Sequence, residues 1–493
     1  MSKEKYSVFS EIGIKDFISN LLEEIKELYL EDTTPWIIGY SGGKDSTTIV
    51  QLVWMAISEL PESKRHKPVH IITTDTQVEN PVVSTWVARS HALMLKNAKE
   101  FKLPIIPHRL FPARENSFWV NLIGKGYPAP RNKFRWCTDR LKIAASNTFI
   151  NSVVKDNGQA MLLLGTRKFE SQARRRVMLK HEKGRFRDRI SPNSSMPGTL
   201  VYTCIEDWSN DDVWIFLMQY KNPWGFDNKE LLTMYQGASS GGECPLIVDA
   251  STPSCGDSRF GCWVCTIVDK DKSMHAMIQN DTEKEWMYPL LEFRNKYLDF
   301  RPSDGNKEEQ TDRSRRDFRR MGGNITLYKG RAVHGPYTQE ARIELLKELL
   351  KAEIAMKEIA NEKGISEAKN IELITFQELE DIRRIWVLDK HEIEDVLPEV
   401  YFQATGKKYK GKALNEKNYF SKNELSILKN ICENPLEYEM IRDLLDIERK
   451  YRTMNRRSGL FNAIDKTIER NFFENETDAV NHSKQKLKLK EDI

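Results

Sequence analysis

The sequence lacks any apolar run near eighteen residues, the length that a membrane-spanning helix requires. Its first residues, Met1–Tyr6, also lack the apolar core of a signal peptide. Cysteine is scarce, with seven among 493 residues. We therefore expect a cytoplasmic protein without a membrane partner, whose cysteines act as thiols or metal ligands and not as disulfides.

A large excess of charge of either sign is absent too. The chain carries 76 Lys and Arg against 72 Asp and Glu, for a net charge of +4. This balance gives no general attraction to a polyanion, so a nucleic-acid site would have to come from local clusters. There is no internal repeat, and the length allows two or three domains.

The secondary-structure pattern alternates between strands and helices over the first half of the chain. Amphipathic or apolar segments predict helices at 12–30, 47–55 and 81–101, and strands at 35–40, 69–74, 104–110, 160–165 and 200–204. This alternation predicts an α/β fold with a doubly wound, mostly parallel sheet. A cysteine-rich segment and a helical C-terminal region follow. The predicted boundaries are 1–235, 236–335 and 336–480, with a flexible tail at 481–493.

The stretch Ser41-Gly42-Gly43-Lys44-Asp45-Ser46 lies between the first strand and its helix. Two adjacent glycines allow successive N–H groups to point at one anion, and the helix N-terminus adds partial positive charge. The spacing differs from that of the common P-loop, which has four residues between its glycines. The stretch predicts a phosphate-binding loop; a Ser-Gly turn that merely caps a helix is the alternative.

Polar residues at other strand ends are expected to join this loop. Thr74 and Asp75 end the second predicted strand, and Gly165 and Arg167 follow the fourth. Ligands of parallel α/β sheets bind at the carboxyl ends of the strands. These segments therefore predict one crevice formed by residues far apart in sequence.

Four cysteines fall within 22 residues of a Gly- and Pro-rich segment: Cys244, Cys255, Cys262 and Cys265. The last two form a Cys-x-x-Cys knuckle. Such a set favours a tetrathiolate metal or iron–sulfur site over cysteines that pack as small apolar side chains. The spacing alone does not separate zinc from a 4Fe–4S cluster.

Cys137 stands apart from this set, between Arg135 and Arg140 and near Arg131 and Lys133. Neighbouring cations lower the pKa of a thiol, so the segment predicts a reactive nucleophile or sulfur carrier. The alternative is a cysteine packed beside Trp136.

Two segments are rich in arginine. Between residues 167 and 190 there are ten Lys or Arg and three Asp or Glu, with Phe169 and Phe186 interleaved. A second cluster spans Arg313–Arg320. Such runs are often solvated surface, but the first begins at the predicted crevice and so favours a polyanionic substrate.

Several of these segments together resemble the phosphoadenylyl-sulfate reductase branch of the PP-loop ATP pyrophosphatases. They are 41–46, 73–76, 135–138, 165–174 and 205–214, and they cover about the first 220 residues. The chain lacks the reductases' C-terminal Glu-Cys-Gly-x-x-x-His motif and is longer than they are. Its length, Cys-x-x-Cys block and Arg-rich segments resemble the DndC sulfurtransferases of bacterial DNA phosphorothioation.

This resemblance implies an enzyme that binds ATP, Mg²⁺ and a 4Fe–4S cluster, with zinc as the less favoured occupant of the thiol site. It implies DNA as substrate, a cysteine desulfurase as sulfur donor, and DndD and DndE as partners. The implied ATP site comprises Ser41, Gly42, Gly43, Lys44, Asp45, Ser46, Thr74, Asp75, Gly165, Arg167 and Arg174. Catalysis is assigned to Lys44, Asp45, Ser46 and Cys137, and the cluster to Cys244, Cys255, Cys262 and Cys265.

Three other functions remain open on the sequence. A tRNA thiolase would use the same chemistry on a base carbonyl. A sulfonucleotide reductase would act on a small molecule. A non-catalytic, ATP-sensing scaffold would use the C-terminal helices to bind partners.

Overall fold

The structure, a computed structural model, describes residues 6–131, 134–238, 260–268, 270–299, 312–412, 414, 422–452 and 454–491. The chain divides into two compact units. The first comprises Met1–Ala113 and Arg135–Leu291, and the second comprises Arg114–Phe134 and Glu292–Ile493. The predicted boundaries at 235, 335 and 480 remain predictions. The compact units divide the chain after residues 113, 134 and 291.

A six-stranded sheet forms the centre of the first unit. In chain order the strands are β1 Trp36–Gly39, β2 Val69–Thr74, β3 Ile105–Leu110, β4 Ala160–Leu163, β5 Ile190–Pro192 and β6 Thr199–Tyr202. They lie in the order β3-β2-β1-β4-β6-β5, and every pairing is parallel except that of β5 with β6. The predicted, mostly parallel α/β fold is confirmed. The sequence pattern missed β5, which is three residues long and ends in proline.

The helices of the first unit follow the strands, as the alternating pattern predicted. They are α1 Gly13–Glu31, α2 Lys44–Glu59, α3 Pro81–Glu100, α4 Ala144–Asn157, α5 Gln172–Glu182, α6 Asn210–Gln219, α7 Asn228–Gly237 and α8 Lys272–Asn280. Short 3-10 turns lie at Glu62–Lys64 and Thr282–Met287, and a π-helical turn lies at Thr138–Ile143. The short α9, Tyr288–Phe293, spans the boundary between the two units in the sequence.

Aromatic side chains fill the core of the first unit. Trp36, Trp54 and Trp208 are each at most 1% exposed, and α1, α2 and α6 contribute to the same apolar cluster. Helix α2 is buried along most of its length, because it packs against the sheet and against α1 and α6. This burial fixes the start of α2, and therefore the loop before it.

The second unit is mainly helical, as predicted for the C-terminal region. Its helices are α10 Gln339–Glu362, α11 Ser366–Lys369, α12 Phe376–Arg384, α13 Leu397–Thr405, α14 Lys422–Ile431, α15 Pro435–Arg452, α16 Leu460–Asn471 and α17 Glu476–Glu491. Strands β7 Leu327–Tyr328 and β8 Arg331–Ala332 form a small hairpin. Arg114–Asn116 and Asp312–Arg315 are 3-10 turns, and Val120–Gly124, Arg294–Leu298 and Ile385–Asp389 are π-helical turns.

Two tryptophans join the early segment 114–134 to the C-terminal helices within this unit. The Trp119 indole N–H donates to the Leu373 carbonyl at 2.6 Å, and the Trp386 indole N–H donates to the Ile123 carbonyl at 2.9 Å. Local sequence patterns do not predict these long-range contacts. Helix α17 covers part of the stretch for which a polar tail was predicted. Among the described residues, no helix is long and apolar enough to cross a membrane.

We predict that His91 makes the first unit sensitive to mild acid. Its imidazole is bonded to the Thr73 hydroxyl at 2.9 Å. Burial, then Arg109 and His108, lower its pKa to about 4. The unfolded chain takes up this proton near pH 6.5, so the stabilisation present above that pH is lost as the pH falls towards 4.

Substitution of His91→Gln keeps a hydrogen-bonding side chain but removes the titration. The drop in unfolding free energy between pH 7 and pH 5 should then shrink by about 1 kcal/mol, measured by urea unfolding at both pH values. His66→Gln, at an exposed histidine of the same unit, is the matched control and should leave the drop unchanged. An equal pH dependence in all three proteins would contradict the prediction.

Candidate functional site

The predicted phosphate loop forms a tight turn between β1 and α2. Gly42 has φ = +76°, and a Cβ added there would lie 2.5 Å from Cγ2 of Val87. The Trp86 indole N–H donates to the Gly42 carbonyl at 3.2 Å. Both the backbone angle and the close approach of α3 therefore require glycine at this position.

Hydroxyl groups within the loop hold its shape. The Ser46 hydroxyl donates to the Gly43 carbonyl at 3.0 Å, and it lies 3.2 Å from both the backbone N and the hydroxyl of Ser41. Gly43 precedes α2 as its N-cap without a side-chain capping hydrogen bond. The first turn of a helix leaves N–H groups without intrahelical partners, so this turn can take an anion, although the Lys44 N–H already donates to the Tyr235 hydroxyl at 3.3 Å.

The Asp45 carboxylate is held on two sides. The Arg167 Nε–H donates to one oxygen at 2.6 Å, and the Lys44 ammonium lies 3.3 Å from the other. Arg167 is only 3% exposed, and it also donates to the Trp208 carbonyl at 3.1 Å. Arg167 is thus placed to orient Asp45, whereas the sequence argument gave it a direct role on phosphate.

Gly165 is the contact point between β4 and the phosphate loop. A Cβ at this position would lie 3.0 Å from the carbonyl carbon and oxygen of Asp45. The structure therefore brings Gly165 and Arg167 to the loop from the far side of β1, as the strand-end argument predicted.

A cavity of about 270 Å³ opens beside the loop. Ser41, Thr74 and Asp75, all expected at the ATP site, line it. The Thr74 hydroxyl bonds the Ser146 hydroxyl at 2.9 Å, while Asp75 forms an ion pair with Arg109 and accepts the Gln77 N–H at 2.8 Å.

The sequence argument missed five polar residues of this cavity: Glu79, Ser84, Arg109, Lys142 and Ser146. Arg109 lies at the carboxyl end of β3, next to β2, so the strand-end argument could have predicted it. Lys142 and Ser146 lie in and just after a π-helical turn that no local pattern indicated. Arg174 is not among the residues of this cavity. It lies on α5 and lines a second cavity of about 280 Å³.

The Cys-x-x-Cys knuckle docks on the segment that follows β2. The Trp263 N–H donates to the Val78 carbonyl at 3.0 Å, and the Asn80 N–H donates to the Gly261 carbonyl at 3.2 Å. The Cys262 sulfur lies 3.4 Å from the Thr76 hydroxyl. Phe260, just before the knuckle, lines the 270 Å³ cavity. The knuckle residues do not themselves line this cavity, but the knuckle adjoins its wall through Phe260 and through Glu79, which forms an isolated β-bridge with Cys262.

The other two predicted cluster ligands, Cys244 and Cys255, lie outside the described residues. Within the described ranges, no three His, Cys, Asp or Glu side chains are grouped so as to hold a metal ion. The two described knuckle thiols suit iron or zinc in kind, since thiolates are preferred ligands of both.

The thiols do not have the environment that the flanking cations predicted. Burial, and then the charge of Cys265, raise the pKa of Cys137, whereas a lowered pKa was expected. Burial and Glu79 raise the pKa of Cys262 to about 12, against the opposing effect of Lys142. Burial opposes the charged form of Lys142, but Cys262 and Glu79 more than compensate, so its pKa is raised. These couplings place Cys137, the knuckle and Lys142 in one electrostatic neighbourhood.

The basic segment 167–190 is largely neutralised by acids from elsewhere in the unit. Lys168 bonds Glu206 and Asp207, while Arg187 and Arg189 pair with Glu31 and Glu24 of α1. Four exposed cations make no ion pair with a described residue: Arg175, Arg176, Lys180 and Lys183. The local charge counted along the sequence therefore overstates the charge available to a polyanion.

Comparison with known families gives a match over residues 35–224 to the phosphoadenosine phosphosulfate reductase domain. An uncharacterized protein of Methanocaldococcus jannaschii is 25% identical over 220 residues, which are 43% of this chain. The chain spans only 39% of that relative's length.

Two solved structures are similar in part. The tRNA thiolase NcsA from Methanococcus maripaludis, with its 4Fe–4S cluster, is 14% identical at a TM-score of 0.28, over 58% of this chain and 81% of that one. The FMN adenylyltransferase of Candida glabrata is 13% identical at a TM-score of 0.25, over 43% and 60%. We draw no functional conclusion from likenesses this weak. Residues 35–224, which include all six strands of the sheet, are therefore similar to the phosphoadenosine phosphosulfate reductase domain.

Proposed function

We propose that this chain is an ATP pyrophosphatase and sulfurtransferase that activates a backbone phosphate of DNA for replacement of a non-bridging oxygen by sulfur. The observation that supports it best is the shared cavity. Ser41 of the phosphate loop borders it on one side, and Phe260, next to the cysteine knuckle, borders it on another. The cavity thus touches the phosphate loop directly, and Cys262, the first knuckle thiol, follows its lining residue Phe260 by two positions.

In the proposed first step, a non-bridging oxygen of the DNA phosphate attacks the α-phosphorus of ATP. The bond between the α-phosphorus and its bridging oxygen breaks, and pyrophosphate leaves. In the second step, a sulfur nucleophile attacks the DNA phosphorus, and AMP departs with the original oxygen. The second step needs no redox change when the sulfur arrives at the oxidation level of sulfide.

The phosphate loop would carry the first step. The first-turn N–H groups of α2 and the Ser41 and Ser46 hydroxyls would hold the departing pyrophosphate. Lys44 would offset the developing negative charge. Asp45, oriented by Arg167, would be a ligand of Mg²⁺. Thr74 and Asp75 would border the adenosine.

The cysteines would serve the second step. A 4Fe–4S cluster, when bound by Cys244, Cys255, Cys262 and Cys265, would supply a site for sulfide. Cys137 would carry sulfur as a persulfide received from a cysteine desulfurase. Its terminal sulfur would attack phosphorus, and a second thiol would then cleave the S–S bond and leave a disulfide for an external thiol to reduce.

The exposed cations of α5 and the turn after it would meet the DNA backbone. Arg175, Arg176, Lys180 and Lys183 are the members of the basic segment without a described acidic partner. Each phosphate contact would make binding more sensitive to salt. DndD and DndE are the proposed protein partners, from the family resemblance.

A second candidate is a sulfonucleotide reductase acting on a small molecule, favoured by the family match over residues 35–224. The absence of the Glu-Cys-Gly-x-x-x-His motif from the sequence disfavours it. Release of sulfite from phosphoadenylyl sulfate would support the reductase, and pyrophosphate release stimulated by DNA would support the first proposal. Stimulation by tRNA alone would indicate a tRNA thiolase.

Substitution of Asp45→Asn should lower DNA-stimulated pyrophosphate release about a hundredfold or more, because the loop loses its metal-binding carboxylate and the partner of Arg167. Asp156→Asn removes an exposed carboxylate from α4 and should leave the rate unchanged. A coupled pyrophosphate assay makes the comparison. Full activity of the Asp45 variant would contradict the assignment of the loop as the ATP-binding site.

Anaerobically purified protein should contain iron and labile sulfide and should absorb visible light, as thiolate-bound iron–sulfur clusters do. Cys262→Ala should lose most of the iron, since the knuckle loses one of its two sulfurs. Cys432→Ala, at a cysteine of the other unit, is the control and should keep it. Zinc in stoichiometric amount, without iron, would overturn the cluster.

Substitution of Cys137→Ser should abolish phosphorothioation of cellular DNA while the iron content is retained, because a hydroxyl cannot carry a persulfide. Mass spectrometry of DNA digested to dinucleotides measures the modification. Cys432→Ser is the matched control. Full modification with the Cys137 variant would exclude the carrier role, and loss of iron would make Cys137 a ligand instead.

A further inference from the structure

The second unit contains a cationic cavity that the proposed chemistry does not use. Its volume is about 190 Å³. Six cationic side chains line it: Arg316, Arg319, Arg342, Lys390, Arg442 and Arg470. Three carboxylates, Asp317, Glu392 and Glu439, also line it. Cations therefore outnumber carboxylates among the residues that line this space, which would hold a small anion.

The three carboxylates are already engaged by two of the arginines. Arg319 bonds Asp317 and Glu439, each at 2.7 Å, and Arg342 forms an ion pair with Glu392. Both guanidinium groups are nearly fully buried. These ion pairs form part of the cavity wall. The three carboxylates are therefore occupied by Arg319 and Arg342 and do not pair with the other cations.

The remaining cations differ in their partners. Arg316 pairs with Asp312 and donates to the carbonyls of His334 and Gly335. Arg442, which is 5% exposed, pairs with Glu394 and Asp443 at 3.5 Å each and donates to the Gln339 side chain at 3.2 Å, but its Nε–H has no hydrogen-bond partner. The Arg470 Nε–H is also buried without a partner. Neither Lys390 nor Arg470 makes an ion pair with a described residue. Buried donors of this kind normally find an acceptor, so their state is unusual in a native fold.

Two further features favour an anion. The cavity is also lined by Thr338 and Gln339, at the N-terminus of the 24-residue α10, where the helix dipole is positive. Burial, and then Arg342 and Arg470, lower the pKa of Lys390 to about 7, although Glu392 opposes them. An anion in the cavity would supply the missing acceptors and relieve this repulsion.

We propose that this cavity is a binding site for a phosphate group, carried either by a small molecule or by the end of a nucleic acid. Lys390, Arg442 and Arg470 would contact the phosphate oxygens directly. Arg319 and Arg342 would be positioning residues, because their carboxylate partners occupy them. This site is independent of the proposed sulfur transfer.

Lys390→Met in the full-length chain is the variant that tests the site. It removes a desolvated charge that has no ion-pair partner, so the fold should be kept, with an equal or higher melting temperature. Lys429→Met removes the same charge from a side chain that is 60% exposed on α14, and is the matched control. Comparison of the two variants excludes phosphate bound at the loop of the other unit, which both retain.

Isothermal titration calorimetry would use inorganic phosphate, AMP, and an oligonucleotide with or without a 5′-phosphate. Lys390→Met should weaken phosphate binding about tenfold or more, since a charge-assisted hydrogen bond is lost, while Lys429→Met should bind like the unsubstituted chain. Weaker binding of inorganic phosphate or AMP by Lys390→Met would identify a small molecule as the source of the phosphate group. An effect confined to the 5′-phosphorylated oligonucleotide identifies a nucleic-acid end. Equal binding by both variants, or no phosphate binding by any protein, would overturn the proposal.

Discussion

The approach of α3 to the loop between β1 and α2 is the constraint on which the candidate site depends. The Trp86 indole holds the Gly42 carbonyl, and Val87 leaves no space for a Cβ at that residue. With the turn fixed, Ser41 borders the cavity and the Asp45 carboxylate lies within reach of Arg167. The loop, the Asp45 carboxylate and the residues at the strand ends are thus positioned together by the packing of α3 side chains against Gly42.

Burial dominates the chemistry of the thiols. Arginines flank Cys137 in the sequence, yet its pKa is raised, because the loss of solvent and the nearby Cys265 outweigh them. Lys142, in the π-helical turn Thr138–Ile143, is the cation that couples to Cys262. A thiol in such a place becomes a good nucleophile or ligand when a metal ion or a nearby cation stabilises the thiolate.

The two arginine-rich segments, 167–190 and 313–320, differ in how the fold places and neutralises their charges. Acids of α1 and of the segment after β6 neutralise much of the first segment and leave a few exposed cations on and after α5. In the second segment, Arg316 and Arg319 line a cavity instead of an open surface. The number of charged residues in a sequence segment therefore does not predict how many of them are available to a ligand, because the acidic residues that neutralise them come from distant parts of the chain.

The sequence by itself determined the parallel strands of the sheet, the turn at 41–46 before α2, and the positions of Thr74, Asp75, Gly165 and Arg167 at or just after strand ends. These follow from local signals: apolar strands, glycines before a helix, and the meeting of parallel strand ends at one edge. Only the tertiary structure decided that 114–134 belongs with the C-terminal helices, that Arg174 lines another cavity, and that the Cys262 knuckle docks on the segment after β2. Each of these depends on long-range packing and burial, which set contacts, charge partners and thiol pKa values that no local pattern encodes.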